Sequence, residues 1–172
     1  MTTVVLSLGA NLGDRRKALL TAVRSLKPDN VSEVYETPPW GDDEQPTYYN
    51  VACIATADRS ATEWLEVADA CERAAGRIRD PDRRFGPRVL DVDIVAAWSA
   101  SGEPVFCTDP RLTLPHPRAH LRAFVLVPWL SIDATAAIPG KGRVRDLLRD
   151  RGLAADARTL RRVGGLESGH DA

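Results

Sequence analysis

RFGPRVLDVDIV, residues 84–95, opens with a basic turn marked by proline and runs into an apolar segment that carries two aspartates, Asp91 and Asp93. In a β-strand successive side chains point to opposite faces, so residues two apart share a face. Asp91 and Asp93 therefore look one way, while Leu90, Val92 and Ile94 look the other. An apolar face opposite a charged one marks a strand of a sheet packed on a core. The paired carboxylates repel each other, and leaving them unpaired in such a strand is costly, so a cation belongs beside them. Mg²⁺ and arginine are both candidates.

Working upstream, Glu72 to Arg88 holds six arginines, at 73, 77, 79, 83, 84 and 88, against Glu72, Asp80 and Asp82. A charged run with Gly and Pro is ordinarily a solvated loop. Next to paired aspartates it also suits a polyphosphate, because arginine forks and metal ions are the two means of neutralising phosphate oxygens. Before it, Ser60 and Glu63 form a capping-box pattern, and Trp64, Val67, Ala68, Cys71 and Ala75 make the core stripe of a helix that stops at Gly76. Tyr48 to Ala57 reads as a strand with Tyr48, Asn50, Ala52 and Ile54 on one face. Tyr48 and Asn50 can stack on a flat heterocycle and bond its edge, or can equally be a half-buried tyrosine beside an asparagine that satisfies backbone. Val31 to Thr37 is a further strand, broken by Pro38, Pro39 and Gly41, and Thr37 to Thr47 reads as an exposed, mobile loop. At the start, the strand Thr2–Leu8 leads through the turn GANLGD to a helix with Leu19, Ala22, Val23 and Leu26 on its inner face. That turn is either a plain helix entry capped by Asn11 or Asp14, or a phosphate cradle helped by Arg15, Arg16 and Lys17.

Downstream, SASGEPVF reads as a hairpin, and TDPRLTLPHPRAHLR, residues 108–122, sets His116 between two prolines with Arg118, His120 and Arg122 close behind. Three histidines in the whole chain, two of them here, argue against a zinc cluster, and the segment reads as a His/Arg group facing phosphate or, alternatively, as a rigid surface turn. Phe124–Ile132 is apolar core, Val144–Leu153 an amphipathic helix, and Thr159–Val163 a short last strand. The expected domain spans 1–163, with 164–172 as a disordered tail. The order β-α-β-β-α-β, with additions, predicts an α/β (α+β) fold: a ferredoxin-like antiparallel sheet with helices packed on it as a three-layer sandwich.

The bulk properties narrow the class. At 172 residues the chain suits one domain that buries about two-thirds of its unfolded surface. A net charge of −1 argues against wholesale binding to nucleic acid or membrane. Only three of the 23 basic residues, Lys17, Lys27 and Lys141, are lysine, a bias that genomic base composition explains as readily as function. Cys53, Cys71 and Cys107 are widely spaced without a metal-ligand pattern, as expected of reduced thiols. With no signal peptide, transmembrane run or lipidation motif in view, the cytoplasm is the expected compartment, and a monomer the expected state, with a homodimer as the alternative.

Four separated stretches, SLGANLGDR, YETPPWG with QPTYYN, RFGPRVLDVDIV and LTLPHPRAHLRAFVL, occur together in this order. In these stretches, from Val4 to about Leu130, the sequence resembles the 6-hydroxymethyl-7,8-dihydropterin pyrophosphokinase family. The resemblance implies transfer of the β,γ-diphosphate of ATP to the hydroxymethyl group of a dihydropterin, with release of AMP in folate biosynthesis. It implies that Asp91 and Asp93 bind two Mg²⁺ ions with ATP, and that Glu72, Arg77, Arg79, Arg88, His116 and Arg122 contact or line the nucleotide site. Arg77 and Arg88 join the aspartates as catalytic groups. Tyr48 and Phe124 would sandwich the pterin, with Asn50, Thr37, Pro38 and Trp40 at its edge and Phe85 closing over it. Thr37–Thr47 and Arg77–Arg88 correspond to segments that close over bound substrates. The family's pattern is altered at Ala10, Asp69, Phe85 and Pro117. Phe85 stands where many members have tryptophan.

Two other classes are weighed against this. DVDIV also fits a haloacid-dehalogenase-type phosphotransferase with an aspartate nucleophile, but only Lys141 follows it, in a Gly-Lys-Gly turn. An RNA-binding module would place paired acids against a phosphate backbone, which they repel.

Overall fold

A computed structural model of the chain describes residues 1–39, 44–76 and 88–167. The first strand, β1 (Thr2–Ala10), buries Val4, Leu6 and Leu8 completely on one face. Helix α1 (Arg15–Leu26) begins where Asp14 accepts the Lys17 N–H at 2.9 Å, and it ends at Lys27, in the left-handed region at φ 50°, before Pro28. Two short strands follow, β2 (Asn30–Val31) and β3 (Tyr35–Thr37), where the sequence predicts one. Ser32 breaks the run: its Oγ donates to Glu33 O and accepts the Ala52 N–H, so a side chain replaces a ladder partner. Strand β4 (Tyr48–Ala57) leads to α2 (Ala61–Ala74), which has the predicted Ser60–Glu63 capping box. Strand β5 (Asp91–Ser99) carries the two aspartates.

The main sheet runs β10 (Arg161–Arg162), β3, β4, β1, β5, with β2 also on β4, and every pairing in it is antiparallel. Its β3–β4–β1–β5 portion is the ferredoxin-like order. α1 and α2 cover one face, where Val4, Leu6, Leu8, Trp64, Leu90 and Ile94 share a core. The opposite face is covered by later elements. After the hairpin β6 (Cys107–Asp109) and β7 (Leu112–Leu114), α3 (Ala123–Ile132) lies over Val5, Ala52 and Val95. Short strands β8 (Ala137–Ile138) and β9 (Gly142–Arg143) precede α4 (Val144–Leu147) and α5 (Arg151–Ala157), and β10 (Arg161–Arg162) pairs with β3. This gives three layers: helices, sheet, helices.

Two expectations for the C-terminal part are corrected. The single helix predicted over Val144–Leu153 is two, because Asp150 accepts the N–H groups of Gly152 and Leu153 and starts a new helix. The tail predicted to be disordered from residue 164 is packed through Glu167. Gly164 O accepts the Val34 N–H at 2.8 Å, the buried Arg16 guanidinium holds Val163 O and Gly165 O, and Leu166 joins the core. Residues 168–172 lie outside the described residues.

Candidate active site

Strand register assembles the site. Asn50, Gly9 and Asp91 stand in one row across β4, β1 and β5, and Ala52, Ser7 and Asp93 in the next. Directly opposed residues share a face, so both carboxylates look toward α3 rather than toward α1 and α2. They open into a cavity of about 230 Å³. Ten of the residues expected from sequence line it: Thr37, Pro38, Tyr48, Asn50, Arg88, Asp91, Asp93, His116, Arg122 and Phe124. Trp40, Arg77, Arg79 and Phe85 lie outside the described residues, as do residues 40–43 and 77–87 of the two segments expected to close.

Both carboxylates have cationic neighbours. Arg88 Nη1 is 2.6 Å from Asp91 Oδ2, and Arg122 Nη1 is 3.4 Å from Asp93 Oδ2. Arginine, one of the two cations considered from sequence, thus stands beside each carboxylate. Burial, reinforced by the neighbouring Asp91 charge, pushes the Asp93 carboxyl up to about 7 despite Arg122 and Arg88. His116 Nε2 stands 3.7 Å from Asp93 Oδ2, and its Nδ1 accepts the Arg118 N–H at 3.1 Å, which leaves the ring proton on Nε2. Burial, and then the Arg122 charge, lowers His116 to about 4, so the imidazole is neutral at physiological pH.

The other wall is built differently. Asn50, almost wholly buried, donates from Nδ2 to Thr37 Oγ1 at 2.8 Å, which fixes the amide plane. Gly9 lies directly beneath it, and a Cβ there would come within 2.8 Å of Asn50 Oδ1. Tyr48 comes from β4 and Phe124 from α3, so the cavity has one ring from the sheet and one from the helix above it. The Arg122 guanidinium lies 5.6 Å from the Phe124 ring centre, joining this wall to the carboxylates.

Several residues have roles that sequence reading did not assign. Asn11 is a buried hub: its Nδ2 donates to Gln45 Oε1 and Pro46 O, each at 3.1 Å, and its Oδ1 accepts the Arg88 N–H at 2.8 Å. It thus ties the chain after one undescribed segment to the chain after the other. Arg15 is taken up by Thr47 and by the Tyr49 ring, 3.7 Å away, and Arg16 by the C-terminal peptide, so neither serves the turn as an anion ligand. Glu72 does not line the cavity. Its buried Oε1 accepts the Val92 N–H at 2.9 Å from the α1/α2 face and satisfies the outer edge of β5. Ser7, Gly9 and Pro117 line the cavity in addition to the expected residues, as does Arg118 of the His/Arg group.

The donor set suits a hard divalent cation. Two carboxylates share one face, and burial together with mutual repulsion disfavours their joint ionisation without added positive charge. Among the described residues no cluster of three or more His, Cys, Asp or Glu side chains could hold a metal. A metal here would draw its remaining ligands from water and phosphate, as Mg²⁺ ordinarily does.

Oxygen donors flanked by guanidinium groups, at the edge of a ferredoxin-like sheet, suit a phosphate-bearing substrate. Comparison with known proteins defines the family. The model of the 7,8-dihydro-6-hydroxymethylpterin-pyrophosphokinase family matches residues 5–134, and the chain belongs to that family. It is accordingly a pyrophosphokinase, an ATP-dependent diphosphokinase of folate biosynthesis. The 2-amino-4-hydroxy-6-hydroxymethyldihydropteridine pyrophosphokinase of Mycobacterium leprae is 47% identical over 163 residues, covering 90% of this chain and 83% of that protein. The enzyme of the same name from Methylorubrum extorquens is 39% identical over 154 residues, 86% of this chain and 92% of that one. The solved structure of wild-type Plasmodium falciparum HPPK-DHPS with pteroate shares the fold, with a TM-score of 0.66 at 13% identity over 94% of this chain and 47% of that one. The chain spans about half the length of that solved chain. Among the described residues no helix is long and apolar enough to cross a membrane.

Proposed function

We propose that the protein transfers the β,γ-diphosphate of ATP to the hydroxymethyl group of 6-hydroxymethyl-7,8-dihydropterin and releases AMP. The observation that carries this reading is the juxtaposition, in one cavity, of the Asp91/Asp93 pair with an aromatic and amide wall suited to a flat heterocycle. Tyr48 and Phe124 would stack on the pterin, and Asn50, Thr37 and Pro38 would bond or bound its edge. Trp40 and Phe85 are assigned to the same substrate on the family resemblance.

The reaction is an in-line displacement. The substrate hydroxyl oxygen bonds to the β-phosphorus, the bond from that phosphorus to the α,β-bridging oxygen breaks, and its electron pair leaves on AMP. The hydroxyl proton is lost to solvent. Asp91 and Asp93 would hold two Mg²⁺ ions, which when bound neutralise phosphate charge and acidify the hydroxyl. Arg88 and Arg122, beside the carboxylates, and the neutral Nε2–H of His116 would face phosphate oxygens, joined on the family resemblance by Arg77 and Arg79. Glu72 acts from beneath, holding the β5 backbone between the two aspartates. Nothing in this scheme needs a protein nucleophile; positioning and charge neutralisation suffice. We infer that the protein works in the cytoplasm, where ATP and Mg²⁺ are abundant, with a monomer as the expected state and a homodimer as the alternative.

Incubating the protein with ATP, Mg²⁺ and hydroxymethyldihydropterin should yield AMP and the pterin diphosphate. Release of ADP or free phosphate instead would overturn the assigned reaction.

A further inference from the structure

We propose that Arg118 receives the departing AMP, its guanidinium holding the α-phosphate on the side of the β-phosphorus away from the pterin. The assignment rests on the diphosphate-transfer reading above and adds to it a residue for the leaving group.

In-line displacement puts attacking oxygen, phosphorus and leaving oxygen on one line. Strand order gives that line a direction in the fold. The amide and one ring of the pterin wall come from β4, the carboxylates come from β5, and β1 lies between them. β5 is the edge of the main sheet, and just beyond it the His116 N–H donates to Val95 O at 2.8 Å, which lays the His116–Arg118 segment along the outer side of the strand. A path from the pterin wall over Asp91 and Asp93 therefore leads to this segment.

Arg118 is the side chain there that fits the charge. Among the described residues three arginines line the cavity. Arg88 is against Asp91, and Arg122 lies between Asp93 and the Phe124 ring, on the pterin side. Arg118 enters from the far segment, half-buried at the cavity wall. Its backbone is held at both ends, by the N–H bond to His116 Nδ1 and by Arg118 O accepting the Leu121 N–H at 3.0 Å. As the bridging bond breaks, AMP gains negative charge on its α-phosphate. A guanidinium placed there interacts more strongly with the transition state than with bound ATP, so its effect belongs in kcat.

The test uses the intact protein and begins by identifying the nucleotide that the wild type releases. For Arg118→Gln we expect kcat to fall ~30- to 100-fold, inhibition by AMP to weaken ~10-fold, and the KM for the pterin to stay unchanged. Arg118→Lys, which keeps the charge but not the fork, should fall between. Wild-type levels of both kcat and AMP inhibition in both variants would overturn the assignment while leaving the reaction standing. A raised pterin KM with unchanged AMP inhibition would overturn it as well, by moving Arg118 to the other side. ADP from the wild type would remove the underlying reading and the assignment together.

Discussion

Three neighbouring strands carry two different surfaces on one face. Toward one end of β4, β1 and β5 the rows read Asn50, Gly9, Asp91 and then Ala52, Ser7, Asp93. Toward the other end the same alternation gives Ile54, Val5 and Val95, with Trp129 of α3 packed in the same cluster. A second hollow, lined by Thr3, Val5, Ile54, Trp98 and Trp129 among others, lies at that end. Between the two ends β1 and β4 pair without interruption, while the β1–β5 register shifts at a bulge between Val5 and Leu6. At the polar end Asp91 pairs with Gly9 and Asp93 with Ser7 through the backbone, so the fold does not require carboxylates at 91 and 93. The apolar end contributes to stability, and the polar end is where core positions have been given to chemistry.

The largest effect should come from exchanging the ends' characters one residue at a time. Asp93→Ala should cut Mg²⁺-dependent AMP release by at least ~10³-fold, while the melting temperature moves by only a few degrees. Trp129→Ala should do the reverse, losing about 3–5 kcal/mol of stability by opening a cavity, with the kcat of the folded fraction near wild type. Denaturant titrations beside steady-state rates separate the two quantities. A large stability loss in Asp93→Ala would mean that the carboxylate is part of the scaffold.

A smaller effect is expected where the two rows meet the pterin wall. Gly9→Ala puts a methyl group 2.8 Å from Asn50 Oδ1, and that amide is already anchored to Thr37 Oγ1. Asn50 must turn or β1 must move. We expect the pterin KM to rise ~10-fold, the equivalent of about 1.4 kcal/mol, with the KM for ATP unchanged. By contrast, an added Cβ at Gly152 meets Asp150 Oδ1 at 3.2 Å, far from the cavity, and Gly152→Ala should leave both constants alone. If Gly9→Ala binds pterin as the wild type does, close packing beneath Asn50 is not what shapes the wall.

What could be read in advance follows from range. The shared face of Asp91 and Asp93, the capping box at Ser60 and the stripe through Trp64 are consequences of periodicity within a dozen residues, and each is present. The misreadings involve competition that local pattern does not reveal. Ser32 and Asp150 supply side-chain bonds that end one element and begin another. Asn11 and Glu72 look like ordinary polar residues until chain remote in sequence, at Gln45, Arg88 and Val92, is brought against them. Leu166 sits in a polar, glycine-bearing stretch, and its burial depends on Arg16, whose partner carbonyls lie almost at the other end of the chain.

The subtlest difference between the two ends concerns protons, because the polar end holds two groups shifted far from their ordinary values. In metal-free protein the Asp93 carboxyl is raised to about 7 and the His116 imidazole is lowered to about 4. Taken alone, a carboxyl raised from its ordinary 3.8 makes the native state bind more protons than the unfolded chain, so stability falls as pH rises from there to about 7. Taken alone, an imidazole lowered from 6.5 makes the native state bind fewer, so stability rises with pH from about 4 to 6.5. Across the shared window the folded pair holds one proton and the unfolded pair also holds one. The two slopes therefore cancel, and the pair contributes almost nothing to pH dependence until Asp93 ionises near 7. Breaking the pair should expose each slope. Relative to wild type in metal-free buffer, Asp93→Asn should gain stability as pH rises through that window, and His116→Asn should lose it, each by a few degrees in melting temperature. Thermal melts at half-unit intervals of pH would read both. Parallel profiles for the two variants would mean that Asp93 and His116 are not shifted in opposite directions by their surroundings.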